Sequence, residues 1–261
     1  MPLFPGADFE VSAPLKTTLD DSDCLLGVDS AEALFRITKA NLLAALTSSR
    51  SGGMSDPYFS DVVLLTHFDS LVDVTGKTLT LGGDAQIISS DKKYGNGCLL
   101  LDGSGDYLAL PNHVDFDFST GLDFTIECYV KLASMSSGFK AITARSVVNS
   151  DSTFNLDINN ATIRLTGWYT TYISVPHGMA VGNWYYIAVK REGNVLSLFI
   201  DAVLKGSFTG STNFPNTNTF TFGGDPLSGA VATLDGKIDE VRITKRARTI
   251  SQIPSIPFPN N

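Results

Sequence analysis

From Val62 onward, apolar and polar residues alternate with a period of two. The clearest run is Phe124–Leu132. There Phe124, Ile126, Cys128, Val130 and Leu132 share one face, and Thr125, Glu127, Tyr129 and Lys131 share the other. Successive side chains of a strand point to opposite faces, so this run predicts an antiparallel strand with one face in a core and one half-exposed. Trp184–Arg191 and Val195–Ile200 repeat the pattern around Glu192-Gly193-Asn194, a glycine-containing hairpin loop. Asp201-Ala202 then turns the chain into Val203–Phe208. Further strands are predicted at Val62–His67, Leu79–Ile88, Cys98–Leu101, Tyr107–Leu110, Lys140–Arg145, Phe154–Ile158, Thr162–Leu165, Tyr172–Val175 and Phe220–Phe222. The last strand-like segment runs from Leu234 towards Thr249, with Asp239 expected on the same face as Val241 and Ile243. Many short strands divided by turn residues predict a mostly β protein, an antiparallel two-sheet sandwich. Helical periodicity does not appear after residue 60.

The segment before it reads differently. Asp23–Val28 and Ala33–Ile37 predict two strands of a hairpin around a turn at Asp29–Glu32. Thr38 has the chemistry of an N-cap, and Lys39–Leu46 predicts a short helix with Leu42, Leu43 and Leu46 on one side. A hairpin with a two-turn helix buries too little apolar surface to be stable alone, so residues 1–46 are expected to be a docking module. Residues 47–60, broken by Gly52, Gly53 and Pro57, have linker chemistry. Residues 61–249 form the β-sandwich. The tail 250–261, with Pro254, Pro257 and Pro259, is expected to be extended and pinned to a surface or a neighbouring subunit.

Composition narrows the function. Of the 261 residues 43% are hydrophobic and 18% charged, as in folded, soluble domains. The formal net charge of −8 argues against nucleic acid, whose phosphates demand a basic face. No apolar run approaches the about 20 residues of a bilayer span, and the first residues lack the basic and apolar regions of a secretory signal. Three cysteines, Cys24, Cys98 and Cys128, are an odd count, and all are expected to be reduced. No Cys/His cluster has zinc-like spacing.

Four segments carry a resemblance. They are Tyr94–Pro111 (Tyr-Gly-Asn-Gly-Cys-Leu-Leu-Leu-Asp-Gly-Ser-Gly-Asp-Tyr-Leu-Ala-Leu-Pro), Leu122–Leu132, Asn183–Arg191 and the closing Leu234–Thr249. In this order they resemble the laminin-G-like branch of the concanavalin A-like lectin/glucanase superfamily over roughly residues 61–249. The resemblance implies a jelly-roll sandwich, and Ala202 stands where the family usually has glycine. It also implies a structural calcium ion on Asp69 and Asp239, because many relatives use a carboxylate of the closing strand and one near the first strand. The alternative is that Asp239 simply accepts backbone N–H bonds. Separately, Phe35–Leu46 resembles the N-terminal attachment segment of bacteriophage tail and fibre proteins. That implies a virion appendage protein, assembled in the host cytoplasm, bound to other virion proteins through residues 1–46, and a homotrimer.

Candidate chemistry is sparse. The Glu-x-Asp-x-x-Glu string of the superfamily's glucanases is absent, and no nucleophile elbow occurs, so no catalytic residue is assigned. Trp168, Tyr169, Tyr172 and His177, with Arg145, Asn149 and Asp151, form a candidate glycan surface, because a pyranose offers an apolar C–H face and a polar rim. Against this stands the plain alternative that these aromatics belong to the core or a subunit interface. The expected function is a non-enzymatic virion protein that recognises a host-surface glycan or contacts a neighbouring subunit. A capsid decoration or head-fibre protein with a purely structural role, and a glycan hydrolase of this superfamily, are the alternatives.

Overall fold

The computed structural model describes the strands 24–28 and 34–38, and residues 56–260 apart from 136, 137, 147 and 226–231. In the first unit, β1 (Cys24–Val28) pairs antiparallel with β2 (Leu34–Thr38), with Cys24 opposite Thr38 and Val28 opposite Leu34. The helix expected over Lys39–Leu46 and most of the 47–60 linker lie outside the described residues.

The second unit, from Pro57 to Asn260, is a sandwich of two antiparallel sheets. The first sheet has seven strands. In spatial order they are β12 (Thr171–Pro176), β11 (Thr162–Thr166), β10 (Phe154–Asn159), β9 (Phe139–Arg145), β16 (Thr221–Phe222), β7 (Tyr107–Ala109) and β4 (Thr80–Gly82). The second has eight: β15 (Val203–Thr209), β14 (Val195–Ile200), β13 (Trp184–Glu192), β8 (Phe124–Leu132), β17 (Asp235–Thr244), β6 (Cys98–Asp102) and β5 (Gln86–Ile88), with β3 (Val62–Thr66) also on β17. The core between the sheets is filled by the inward half of each alternating strand, including Phe124, Ile126, Cys128 and Val130 of β8 and Ile187 and Val189 of β13. Cys98 and Cys128 are free and buried.

One end of this core is aromatic. Phe118 stacks on Phe124 with centroids 4.5 Å apart, and Phe154 meets Phe214 edge-to-face at 5.2 Å. Two arginines enter the same region. Arg191 donates from Nε to the Leu122 carbonyl at 2.8 Å and from its two terminal nitrogens to the Thr212 carbonyl at 3.0 Å and the Phe118 carbonyl at 2.9 Å. Each guanidinium lies over phenylalanine rings, Arg145 over Phe220 at 5.3 Å and Arg191 over Phe124 at 5.2 Å. They tie together the loops that cross the sandwich end, where, among the described residues, backbone pairing is limited to the single bridge between Phe118 and Phe214.

Three expectations change on folding. The run Leu79–Ile88 is two strands in different sheets, not one. The chain crosses at Gly82-Gly83, where Gly83 has φ +70° and an added Cβ would lie 2.4 Å from Asp106 Oδ1. The outer face of β8 is also not half-exposed: Thr125, Glu127 and Tyr129 are buried. Its cover is the C-terminal tail, which lies on its own sandwich. Tyr94 and Tyr129 both donate their hydroxyls to the Pro254 carbonyl, at 2.7 and 2.6 Å, and Phe258 is buried beside Tyr129 with centroids 6.4 Å apart. Asp239 is not on the face of Val241 and Ile243. It lies opposite Tyr129, whereas Arg242 lies opposite Glu127, so β17 carries one extra residue there. Glu240 takes the left-handed conformation of that bulge, φ 52°. The bulge sits where β17 changes partner on one edge from β6, which it pairs through Ile238, to β3, which it pairs from Val241.

The turn at Asp201-Ala202 has both residues at positive φ, 50° and 61°. That is the conformation of a tight hairpin turn which favours glycine. Replacing Ala202 by Gly should therefore stabilise the protein by up to about 1 kcal/mol in chemical denaturation, the left-handed strain outweighing glycine's greater unfolded-state entropy. A loss of stability would show that alanine carries no strain there.

Candidate functional site

The outer face of β9, β10, β11 and β12 forms the floor of a cleft of about 320 Å³. Alternation puts it there. Phe154, Leu156 and Ile158 of β10 enter the core, so Asn155 and Asp157 face out, and Arg164 of β11 faces out between Ile163 and Leu165. Arg164 holds Asp157 by two hydrogen bonds, Nε to Oδ1 at 2.9 Å and a terminal nitrogen to Oδ2 at 3.0 Å. Burial lifts the Asp157 carboxyl above its ordinary value, and Arg164 pulls against that rise. The guanidinium also stacks on Phe139 at 4.4 Å, so its charge and its flat face are both engaged.

The rim is the turn between β11 and β12. Trp168 and Tyr169 line the cleft and are 42% and 71% exposed. Asp151 organises the turn from below. Its Oδ1 accepts the Tyr169 N–H at 2.7 Å and the Thr170 N–H at 3.1 Å, and its Oδ2 accepts the Thr170 hydroxyl at 2.8 Å. Those donors, the Tyr169 N–H foremost, hold its carboxyl below the usual range. The Tyr169 hydroxyl lies 3.4 Å from Asn149 Oδ1. On the far side Asp225 lines the cleft and accepts the Ser146 hydroxyl at 2.5 Å.

Of the seven candidate glycan residues, Trp168, Tyr169, Asn149 and Asp151 come together at this rim. The other three do not. Arg145 is fully buried, donates to the Phe116 and Phe214 carbonyls, and is pushed down to about 10 by burial. Tyr172 packs its ring against Phe208 and Phe214 at 5.2 and 5.7 Å. His177 is buried, donates from Nε2 to the Asn160 carbonyl at 2.9 Å and accepts the Met179 N–H on Nδ1 at 2.8 Å. Phe139, Asp157, Arg164 and Asp225 were missed. Asp157 and Arg164 stand on the polar side of readable strands and Phe139 just before the strand read as Lys140–Arg145, but only the folded sheet puts them under the Trp168 turn.

The expected calcium ligands have other partners. Asp239 accepts the Lys93 and Tyr94 N–H groups on Oδ2 at 2.7 and 3.1 Å, and the Glu240 N–H on Oδ1 at 2.8 Å. Asp69 accepts the Asn96 N–H of the same loop. These are the contacts of a hydrogen-bonded loop, with N–H donors where a cation would need oxygen. Among the described residues, Asp84, Asp102 and Asp106 are the carboxylates close enough to share an ion. Buried Asp106 accepts the Asp84 and Asp102 N–H groups at 2.8 and 2.9 Å, which closes a turn.

Next to Asp239, Glu240 holds the tail. It accepts the Phe258 N–H at 2.9 Å and meets His67 Nδ1 at 2.8 Å, while His67 Nε2 lies 2.6 Å from Asn260 Oδ1. Both ring nitrogens face oxygens, which a protonated imidazole satisfies by donating twice. Burial opposes that charge, but Glu240 outweighs it and holds His67 above its ordinary value. Burial pushes Asp239 up to about 7. The two groups act in the same direction. Between about 3.9, the value of an unfolded aspartate, and about 7, folded Asp239 keeps a proton that the unfolded chain has lost, so stability falls as pH rises. His67 adds stability that is full below about 6.5 and lost as pH rises through its higher folded value. Asp91, held low by Lys131 and Lys237, and Asp151 change charge below this window. The unfolding free energy should therefore fall from pH 5 to pH 8, by on the order of 1 kcal/mol per pH unit at its steepest, and the melting temperature should fall with it. His67→Gln should flatten the upper part of the profile; a profile rising with pH contradicts the assignment.

A two-sheet antiparallel sandwich of this topology is the architecture shared by concanavalin A-like lectins and glucanases. Residues 102–254, more than half of the chain, match a laminin-G profile of the concanavalin A-like lectin/glucanases superfamily, and the chain belongs to that superfamily. Solved structures share the fold. One is domain 4 of AbnA, a GH43 extracellular arabinanase from Geobacillus stearothermophilus, in complex with arabinotriose; identity is 20%, coverage 74% of this chain and 96% of that one, TM-score 0.58. Others are the binding domain of Paraclostridial Mosquitocidal Protein 1 (12% identity, 74% and 51% coverage, TM-score 0.59) and the botulinum neurotoxin serotype D binding domain (15%, 76% and 51%, TM-score 0.58). The chain spans about half the length of the two toxin domains. No curated protein sequence matches it. At these identities the likeness is one of fold. Among the described residues, no helix is long and apolar enough to cross a membrane.

Proposed function

We propose that the sandwich is a non-enzymatic glycan-binding module, and that the cleft under Trp168 and Tyr169 is its binding face. The observation that carries this reading is the exposure of two adjacent aromatic rings at the mouth of a cleft whose floor is polar. An aromatic ring takes the C–H face of a sugar, and Asn155 and Thr171 offer hydrogen bonds to its rim. Arabinotriose in the AbnA domain, on the same fold, is in keeping with this. A hydrolase is the weaker reading. A glycosidase needs one carboxyl free to donate a proton and a second beside it, whereas both Asp157 oxygens are taken by Arg164.

The setting follows from the resemblance of Phe35–Leu46 to phage attachment segments. Residues 1–46 dock on other virion proteins, the sandwich is displayed outward as a homotrimer, and weak single sites are multiplied by copy number. The test is a glycan array on the full chain. Trp168→Ala should weaken binding at least tenfold, about 1.4 kcal/mol, and lower the melting temperature by only a few degrees, because the residue is 42% exposed and stands outside both core clusters. Binding that survives the substitution moves the site elsewhere. A chain that ignores every glycan, while particles still need it to assemble, has the purely structural role of a decoration or head-fibre protein.

A further inference from the structure

We infer that the cleft selects neutral sugars and rejects carboxylated ones such as uronic and sialic acids; this rests on the glycan-binding reading above. The argument is one of charge. Among the described residues lining the cleft, Arg164 is the lone cation, while Asp157 and Asp225 are both carboxylates. Arg164 already binds a carboxylate in the geometry that a sugar acid would need. Its Nε and one terminal nitrogen hold Asp157 at 2.9 and 3.0 Å, and its plane lies 4.4 Å from the centre of Phe139. An incoming carboxylate would have to displace Asp157 and leave that side chain without its counter-charge in a largely buried position. Asp225 adds a second carboxylate to the cleft lining. The segment 226–231 that follows it is Pro-Leu-Ser-Gly-Ala-Val, so by sequence it brings no cation. At the rim, Asp151 adds a third carboxylate beneath Tyr169. Like-charge juxtaposition of this kind is how a binding site excludes a wrong ligand without tightening the right one. A neutral sugar meets no such penalty: Asn155 and Thr171 offer hydrogen bonds to its hydroxyls, and Trp168 offers the stacking face. A cleft of about 320 Å³ lies at the small end of ligand sites, which suits one or two sugar rings and not a long groove-bound chain.

The experiment uses the full-length chain and pairs of glycans that differ by a carboxylate: glucose-based and glucuronic-acid-based oligosaccharides of equal length, within an array of neutral and acidic glycans. The expected result is binding of neutral members, with acidic partners at least tenfold weaker at low salt. The gap should narrow as salt screens the charges, and Asp225→Asn should narrow it at low salt. Acidic members bound as well as or better than neutral ones, or a gap insensitive to salt, would overturn the selectivity and leave the glycan-binding reading standing. Silence towards every glycan would overturn both. The salt dependence of the unmodified chain keeps the inference open to refutation even if Asp225→Asn does not fold.

Discussion

Replacing Glu127 by alanine should lower the unfolding free energy by about 3–5 kcal/mol, the cost of removing one partner of a buried ion pair. Glu127 is 1% exposed, at the middle of β8. Arg242 from the neighbouring β17 reaches it through Nε at 2.9 Å and through a terminal nitrogen at 3.1 Å. The Arg248 guanidinium lies 3.7 Å away, and the Tyr186 hydroxyl donates to the same carboxylate. Two cations and a phenol thus converge on one acid under the tail. Removing that acid leaves Arg242 buried without its carboxylate, although Phe258 still covers it at 4.0 Å. Urea denaturation reads the effect. Glu127→Gln, which keeps the shape and loses the charge, should cost less than alanine. A loss under about 1 kcal/mol for alanine would mean that water reaches this face and that the pair behaves as a surface one.

Deleting residues 250–261 should cost about 3 kcal/mol or more and leave glycan binding intact. Phe258 alone contributes about 1.5–3 kcal/mol by burial. The two tyrosine hydroxyls on the Pro254 carbonyl add about 1 kcal/mol each. The deletion also removes the Phe258 N–H and Asn260 from the Glu240–His67 pair. The tail lies on the eight-stranded sheet, whereas the cleft belongs to the seven-stranded one, so stability and binding should separate. Thermal melting beside a binding assay checks this. An unchanged melting temperature would mean that the tail serves an external partner. The two changes share one face: Glu127 holds Arg242 from the strand side and Phe258 of the tail covers it from the other, so combining them should give less than the sum.

Much of the fold was legible before folding was considered. Phe124–Leu132 and Val195–Ile200 are strands with the bounds their alternation predicts, and the loop expected at Glu192–Asn194 is the two-residue turn Gly193-Asn194, with Glu192 ending β13 opposite Val195. The site was only half legible. Trp168 and Tyr169 stood out as candidates because aromatic residues in a turn-rich stretch are conspicuous, and they line the cleft. Arg145, ending β9, and His177, just after β12, were misplaced because a polar side chain at a strand end looks the same whether it faces solvent or caps buried carbonyls. Thr125, Glu127 and Tyr129 were expected on an open face for a related reason: nothing in β8 itself says that a segment more than a hundred residues later will cover it.

Alternation is a local property, so the sequence by itself determined where strands run, which half of each is apolar, and hence that two sheets pack face to face. Which way a particular side chain points after an irregularity is not local. One extra residue at Asp239-Glu240, placed where β17 changes partner, moves Asp239 off the face of Val241 and onto that of Tyr129. The tail's place on the outer sheet, the entry of two arginines into an aromatic core, and the meeting of Arg164, Asp157 and Asp225 under the Trp168 turn were decided by tertiary structure alone. Each brings together residues far apart in the chain or on different strands, and only a closed sandwich holds them within reach.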